Sequence, residues 1–89
     1  MDRYFSVQAD EEYQDWQKTN KKIFKKINDL IDSIEEHGFL YGLGKPEQLK
    51  HFDQPVYSRK ISKADRLVYC PYNENDLLIL SCKGHYQDK

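Results

Sequence analysis

Cysteine is scarce in this sequence, with Cys70 and Cys82 the two present. They form no CxxC pair, and no histidine stands at zinc-ligand spacing from either. A disulfide framework and a zinc module are therefore not expected, and both residues read as reduced strand positions of a cytoplasmic protein. Long apolar runs are missing too. No stretch approaches the ~20 residues that span a bilayer, and Met1-Asp2-Arg3-Tyr4-Phe5 holds no signal-peptide core. There is no repeat, no low-complexity stretch and no linker able to divide the chain. No glycine-rich loop is built to cradle phosphates, because Gly42 and Gly44 alone mark only a tight loop. Net charge is −1, so overall charge does not drive non-specific RNA binding.

What remains fits one small domain. A chain of 89 residues buries only about 60–65% of its unfolded surface. That is enough for one helix layer on one sheet. Seven Tyr, four Phe and one Trp supply large rings for such a core. The charges segregate. Met1 to Asp15 is acidic, Lys18 to Lys26 carries five lysines and no acid, Asp29 to Glu36 is acidic again, and Lys45 to Arg66 is basic on balance. A nucleic-acid binder can be neutral overall if one face is basic.

Tyr4, Phe5 and Val7 suggest a short first strand. Asp10, Glu11 and Glu12 place acids in the first turn of a helix, where the dipole favours them. Tyr13 and Trp16 share its inner face. Thr19 or Asn20 can cap a second helix. Its apolar positions, Ile23, Phe24, Ile27, Leu30, Ile31 and Ile34, follow the helical period, and Gly38 is a natural stop. Residues 39–55 read as a polar loop. Val56–Ser62 and Leu67–Tyr72 read as strands, and Asn73-Glu74-Asn75-Asp76 as a hairpin turn. Leu77 to Cys82 is a continuous apolar run, suited to a central strand covered on both faces. The expected fold is α+β, in the order β-α-α-β-β-β, with two helices packed on a small antiparallel sheet.

The residues able to carry chemistry are Glu47, Lys50, Arg59, Lys60, Arg66, His85 and Tyr86. A hairpin through Asn73–Asp76 sets Arg66 near the open end of one strand and His85 just past the end of its partner. The loop carrying Glu47 feeds the neighbouring strand. A carboxylate, an imidazole and guanidinium groups can then meet at one end of the sheet. Such a set cleaves RNA without a metal: a base takes the 2′-OH proton, an acid protonates the leaving oxygen, and a cation stabilises the phosphorane. Individually, each of these residues is equally at home as a solvated loop carboxylate, a surface ion-pair partner or an exposed histidine.

The chain also resembles the YoeB branch of the RelE/ParE toxin superfamily. The resemblance runs through Trp16-Gln17-Lys18-Thr19, Lys25-Lys26-Ile27-Asn28-Asp29-Leu30-Ile31 and Gly44-Lys45-Pro46-Glu47-Gln48-Leu49-Lys50. It continues in Tyr57-Ser58-Arg59-Lys60-Ile61, Arg66-Leu67-Val68-Tyr69 and Cys82 through His85-Tyr86. It spans nearly the whole chain in order and spacing. It implies a microbial RNase fold, cleavage of mRNA in the ribosomal A site, no cofactor or metal, and no membrane partner. It implies neutralisation by a cognate YefM-like antitoxin whose C-terminal segment wraps the toxin, and dimers of the kind such proteins often form. Carried over by residue, Glu47 is the general base, His85 the general acid, Arg66 the phosphate-stabilising arginine and Tyr86 the C-terminal tyrosine of the site. Lys50, Arg59 and Lys60 are then RNA-binding basic residues of the cleft.

Three departures bear on activity, the tail Gln87-Asp88-Lys89 past the terminal tyrosine among them. Asp65 stands where such toxins often carry His, and an acid there can pair with Arg66 and weaken its hold on phosphate. Asp53-Gln54-Pro55 replaces a small, glycine-containing turn. The alternatives are a catalytically weakened, antitoxin-binding relative of the same fold, or a ParE-like gyrase inhibitor, which needs no acid–base pair.

Overall fold

The computed structural model describes residues 1–85. The elements run β1 (Arg3–Phe5), α1 (Val7–Thr19), α2 (Lys21–His37), β2 (Glu47–Gln48), β3 (Tyr57–Lys60), β4 (Arg66–Tyr72) and β5 (Asp76–Ser81). Ser6 caps α1, its Oγ accepting from the Ala9 N–H at 3.0 Å. Val7, expected in the first strand, therefore opens the helix. Asn20 serves both helices. Its N–H donates to the Trp16 carbonyl at 2.9 Å, and its Oδ1 accepts from the Ile23 N–H at 3.1 Å. The Thr19 hydroxyl turns back to the Asp15 carbonyl instead. Gly38, at φ +94°, ends α2 as expected.

The α2 stripe packs where its period predicts. Ile27, Leu30, Ile31 and Ile34 are fully buried with Leu67, Tyr69, Leu77 and Ile79 of the sheet. Tyr13 and Trp16 of α1 pack at the margin of that core. Cys82 is buried beneath α1. Burial pushes its thiol up to about 12, with the nearby Glu12 carboxylate adding to the shift. Cys70 is raised in the same direction by burial. Neither is poised to form a thiolate.

The sheet order is β1-β5-β4-β3-β2. The β3-β4-β5 meander is antiparallel, as expected. Three features differ from the expectation. β1 pairs parallel with β5, through Arg3↔Leu77 to Phe5↔Ile79, so the sheet is mixed. Glu47 and Gln48 pair with β3 as a fifth strand inside the expected loop. Three residues are too few to announce a strand's direction, and a polar Glu-Gln pair carries no strand composition. A third difference concerns β5. Leu77 and Ile79 face the helices, whereas Leu78 and Leu80 are only partly covered, so the run is not buried on both faces.

A β-bulge shapes the end of the sheet that matters for function. Val68 stands opposite Ser81 but Tyr69 opposite Ile79, leaving Leu80 as the extra residue. Bulges bend a strand and increase its twist. Beyond the bulge the chain after β5 stays beside the start of β4, where the Arg66 N–H donates to the Gly84 carbonyl at 3.0 Å.

Candidate functional site

Side chains alternate across a strand. Tyr57, Arg59, Leu67 and Tyr69 face the helices; Ser58, Lys60, Arg66 and Val68 face away. On that outer face β2 sets Glu47 directly opposite Ser58, and β4 sets Val68 on its other side. The result is a cleft of about 360 Å³ lined by Glu47, Gln48, Leu49, Lys50, Ser58, Arg66 and His85. A carboxylate, a guanidinium, an ammonium and an imidazole thus share one open cavity. Among the described residues, no three His, Cys, Asp or Glu side chains converge as a metal site.

Glu47 owes its place to a buried arginine. Arg59 is fully buried, and each of its five N–H groups has an acceptor. Nε donates to the Tyr69 hydroxyl at 2.8 Å. One terminal nitrogen donates to Ser33 Oγ and the Leu43 carbonyl at 3.2 and 2.8 Å. The other donates to the Gly38 and Tyr41 carbonyls at 2.7 and 2.6 Å. Tyr69 completes the network by donating to the Phe39 carbonyl at 2.6 Å, and burial raises the pKa of that hydroxyl against the pull of Arg59. Residues 38–43 are therefore wrapped around one cation. Two glycines let them fit: a Cβ on Gly42 would collide with Ser33 Oγ, and one on Gly44 would sit 2.7 Å from Leu30 Cδ2 and 3.2 Å from the Lys60 carbonyl. The Lys60 N–H then holds the Gly44 carbonyl at 2.7 Å. Lys45 takes a left-handed turn at φ +51°, and the chain enters β2.

His85 is placed by anchors on three successive residues. The Cys82 N–H donates to Glu12 at 2.7 Å, and its carbonyl accepts from Trp16 Nε1 at 2.9 Å. Lys83 pairs with Asp15 at 2.6 Å and lies over the Trp16 ring. The Gly84 N–H donates to Asp65 Oδ1 at 2.7 Å, and its carbonyl accepts from the Arg66 N–H. Glu12, read from the sequence only as a complement of the helix dipole, Asp15, and Trp16, read as a core ring, thus hold the segment that leads to the imidazole. A partner some 70 residues away carries no local signal.

Four site expectations need comment. Glu47, Lys50, Arg66 and His85 come together. Arg59 does not: its guanidinium faces the core with every donor engaged, so its assignment to RNA binding is corrected to holding the loop. Lys60 lies off the cleft in an adjoining cavity of about 300 Å³, alongside Lys26, Lys45 and Lys63. Tyr86 lies outside the described residues. The expected pairing of Asp65 with Arg66 is also corrected, since the Asp65 oxygens accept from Ser62 Oγ and the Gly84 N–H. Asp65→Ala should cost about 1–3 kcal/mol by orphaning those donors. It should also strip the Gly84 amide of its hydrogen-exchange protection; unchanged protection would show that the anchor lies elsewhere.

The fold resembles that of small bacterial toxins of known structure. The YoeB dimer structure from Staphylococcus aureus superposes with a TM-score of 0.89 at 46% identity, covering 97% of this chain and 98% of that one. A YoeB/ParE toxin from Agrobacterium tumefaciens gives 0.89 at 34% identity, covering 97% and 100%. Toxin YoeB of Escherichia coli K12 is 42% identical over 86 residues, 97% of this chain and all of that one. Residues 5–86 match the model of the YoeB-like toxin of bacterial type II toxin-antitoxin systems, and the chain belongs to that family.

Proposed function

We propose that this protein is the toxin enzyme of its system: a metal-independent, ribosome-dependent endoribonuclease that cleaves mRNA in the A site and so halts translation in the cytoplasm. The observation that carries the reading is the convergence of Glu47, Arg66 and His85 on one cleft. Glu47 takes the proton from the substrate 2′-OH. The freed oxygen attacks the adjacent phosphorus, and Arg66 stabilises the charged phosphorane. His85 gives its proton to the departing 5′-oxygen as that P–O bond breaks. The two side chains handle both protons and the guanidinium handles the charge, so no step calls for a metal. Tyr86, next in the chain, is a further group of the site in this reading, and Lys50 and Lys60 hold flanking phosphates.

The products follow from the nucleophile. The upstream fragment ends in a 2′,3′-cyclic phosphate or its hydrolysed 3′-phosphate, and the downstream fragment in a free 5′-hydroxyl. RNA with a 2′-deoxy residue at the cut position should resist completely on programmed ribosomes. Cleavage of that substrate, or 5′-phosphate ends, would overturn the mechanism.

The weakened-relative alternative drew on Asp65 neutralising Arg66, and Asp65 is engaged elsewhere. A gyrase poison would have no use for an imidazole and a carboxylate in one cleft. A solved relative is a YoeB–YefM complex from Staphylococcus aureus, and another is the YoeB dimer. By analogy, a cognate YefM-like antitoxin lays an acidic flexible segment across the cleft between the Gly44–Lys50 loop and His85, ordering as it binds, and the toxin can self-associate.

A further inference from the structure

Ser58 stands out in the floor of the cleft. Its Oγ is fully buried and has no hydrogen-bond partner, the single such side-chain atom among the described residues. A buried hydroxyl left unsatisfied costs stability, and alanine would fill nearly the same space without that cost. The middle of a strand beside Val68 would suit a small apolar residue at least as well. No hydrogen bond within the described residues accounts for the hydroxyl.

The register states where it points. Ser58 faces Glu47 directly across β2–β3, and Lys60 faces Arg66 across β3–β4, so Arg66 is diagonal to Ser58 on the same face. Directly opposite Cβ atoms lie about 4.5–5.5 Å apart and diagonal ones about 7–8 Å. A phosphate held between a base on one side and a guanidinium on the other lies over Ser58, which lines the same cavity.

We propose that Ser58 is a further catalytic residue: its Oγ–H donates a hydrogen bond to a non-bridging oxygen of the scissile phosphate. This rests on the ribonuclease reading above. Arg66 supplies charge, and Ser58 supplies a neutral donor on a paired strand, its Oγ uncovered as the substrate displaces the side chains that close over it. Negative charge on the non-bridging oxygens grows toward the phosphorane, so the bond strengthens there and acts on the chemical step rather than on binding.

The Ser58→Ala protein separates this role from a structural one, because the two move stability in opposite directions. It should melt at the wild-type temperature or a few degrees higher, since an unsatisfied group has been removed. Its single-turnover cleavage on saturating programmed ribosomes should fall roughly 10- to 10³-fold with half-saturation unchanged. Sulfur in place of one of the two non-bridging oxygens should slow the wild type, and the variant should lose that discrimination. A wild-type rate for Ser58→Ala overturns the proposal. So does a lower melting temperature with the sulfur discrimination intact, which would make Ser58 structural. Glu47→Ala serves as the control: if it cleaves like wild type, the ribonuclease reading itself fails, whatever Ser58 does.

Discussion

Glu47→Ala and His85→Ala should each yield a folded protein that no longer arrests growth. Both side chains are exposed at the rim of the cleft and contribute nothing to the Ile27–Leu30–Ile31–Ile34 core. Their loss should leave the melting temperature close to wild type. Removing one positioned acid or base costs roughly 10²–10⁴ in rate. The pair acts as a unit, so the double variant should be little worse than the weaker single one. Induction at matched expression, with cleavage of programmed ribosomes in parallel, checks this. Full toxicity of either single variant would remove that residue from the mechanism.

Arg59→Ala should have the largest effect on stability, of order 3–5 kcal/mol. The loss is not one of a salt bridge, for no carboxylate takes part. Four backbone carbonyls, from Gly38, Phe39, Tyr41 and Leu43, depend on Arg59 directly or through Tyr69. Deleting the guanidinium leaves a buried polar hole where carbonyl dipoles face one another. Arg59→Lys should rescue little, since three donors on a flexible stem cannot reach five acceptors set in a plane-like fork. In a chain of 89 residues with a thin margin, denaturant melts should show an unfolded or barely folded protein at 37 °C. A loss below about 1 kcal/mol would mean that water substitutes for the guanidinium. Tyr69→Phe is the milder companion change, removing one acceptor and one donor from the same network.

These two cases mark the boundary of what the sequence discloses. The α2 stripe, the Asn20 cap and the Gly38 stop are legible because period and capping chemistry act over three or four residues. The meeting of Arg66 with His85 is legible because a hairpin converts a turn signal into a register. Arg59 is not. Alternation in Tyr57-Ser58-Arg59-Lys60 fixes which residues share a face, but polarity points the wrong way, since the arginine is inside and the lysine outside. An arginine whose partners are backbone carbonyls has no complementary side chain to betray it. Ser58 is hidden for the same reason, being a polar residue on the outer face that is nonetheless fully covered. The anchors on Cys82, Lys83 and Gly84 link residues 19 to 70 positions apart, and only the folded chain shows them.

The pairing of β1 with β5 has a kinetic consequence. The two strands lie more than seventy residues apart in the chain, joined by contacts such as Ser6 to Leu80. Closing so large a loop must precede any reward from the parallel ladder, which slows folding. During synthesis the helices can form early, but β1 has no partner and His85 has no anchor until β5 and residues 82–84 have cleared the exit tunnel. A ribosome making this chain therefore carries an unassembled cleft until β5 and the residues that follow it have emerged, and the acid and the base first meet only then.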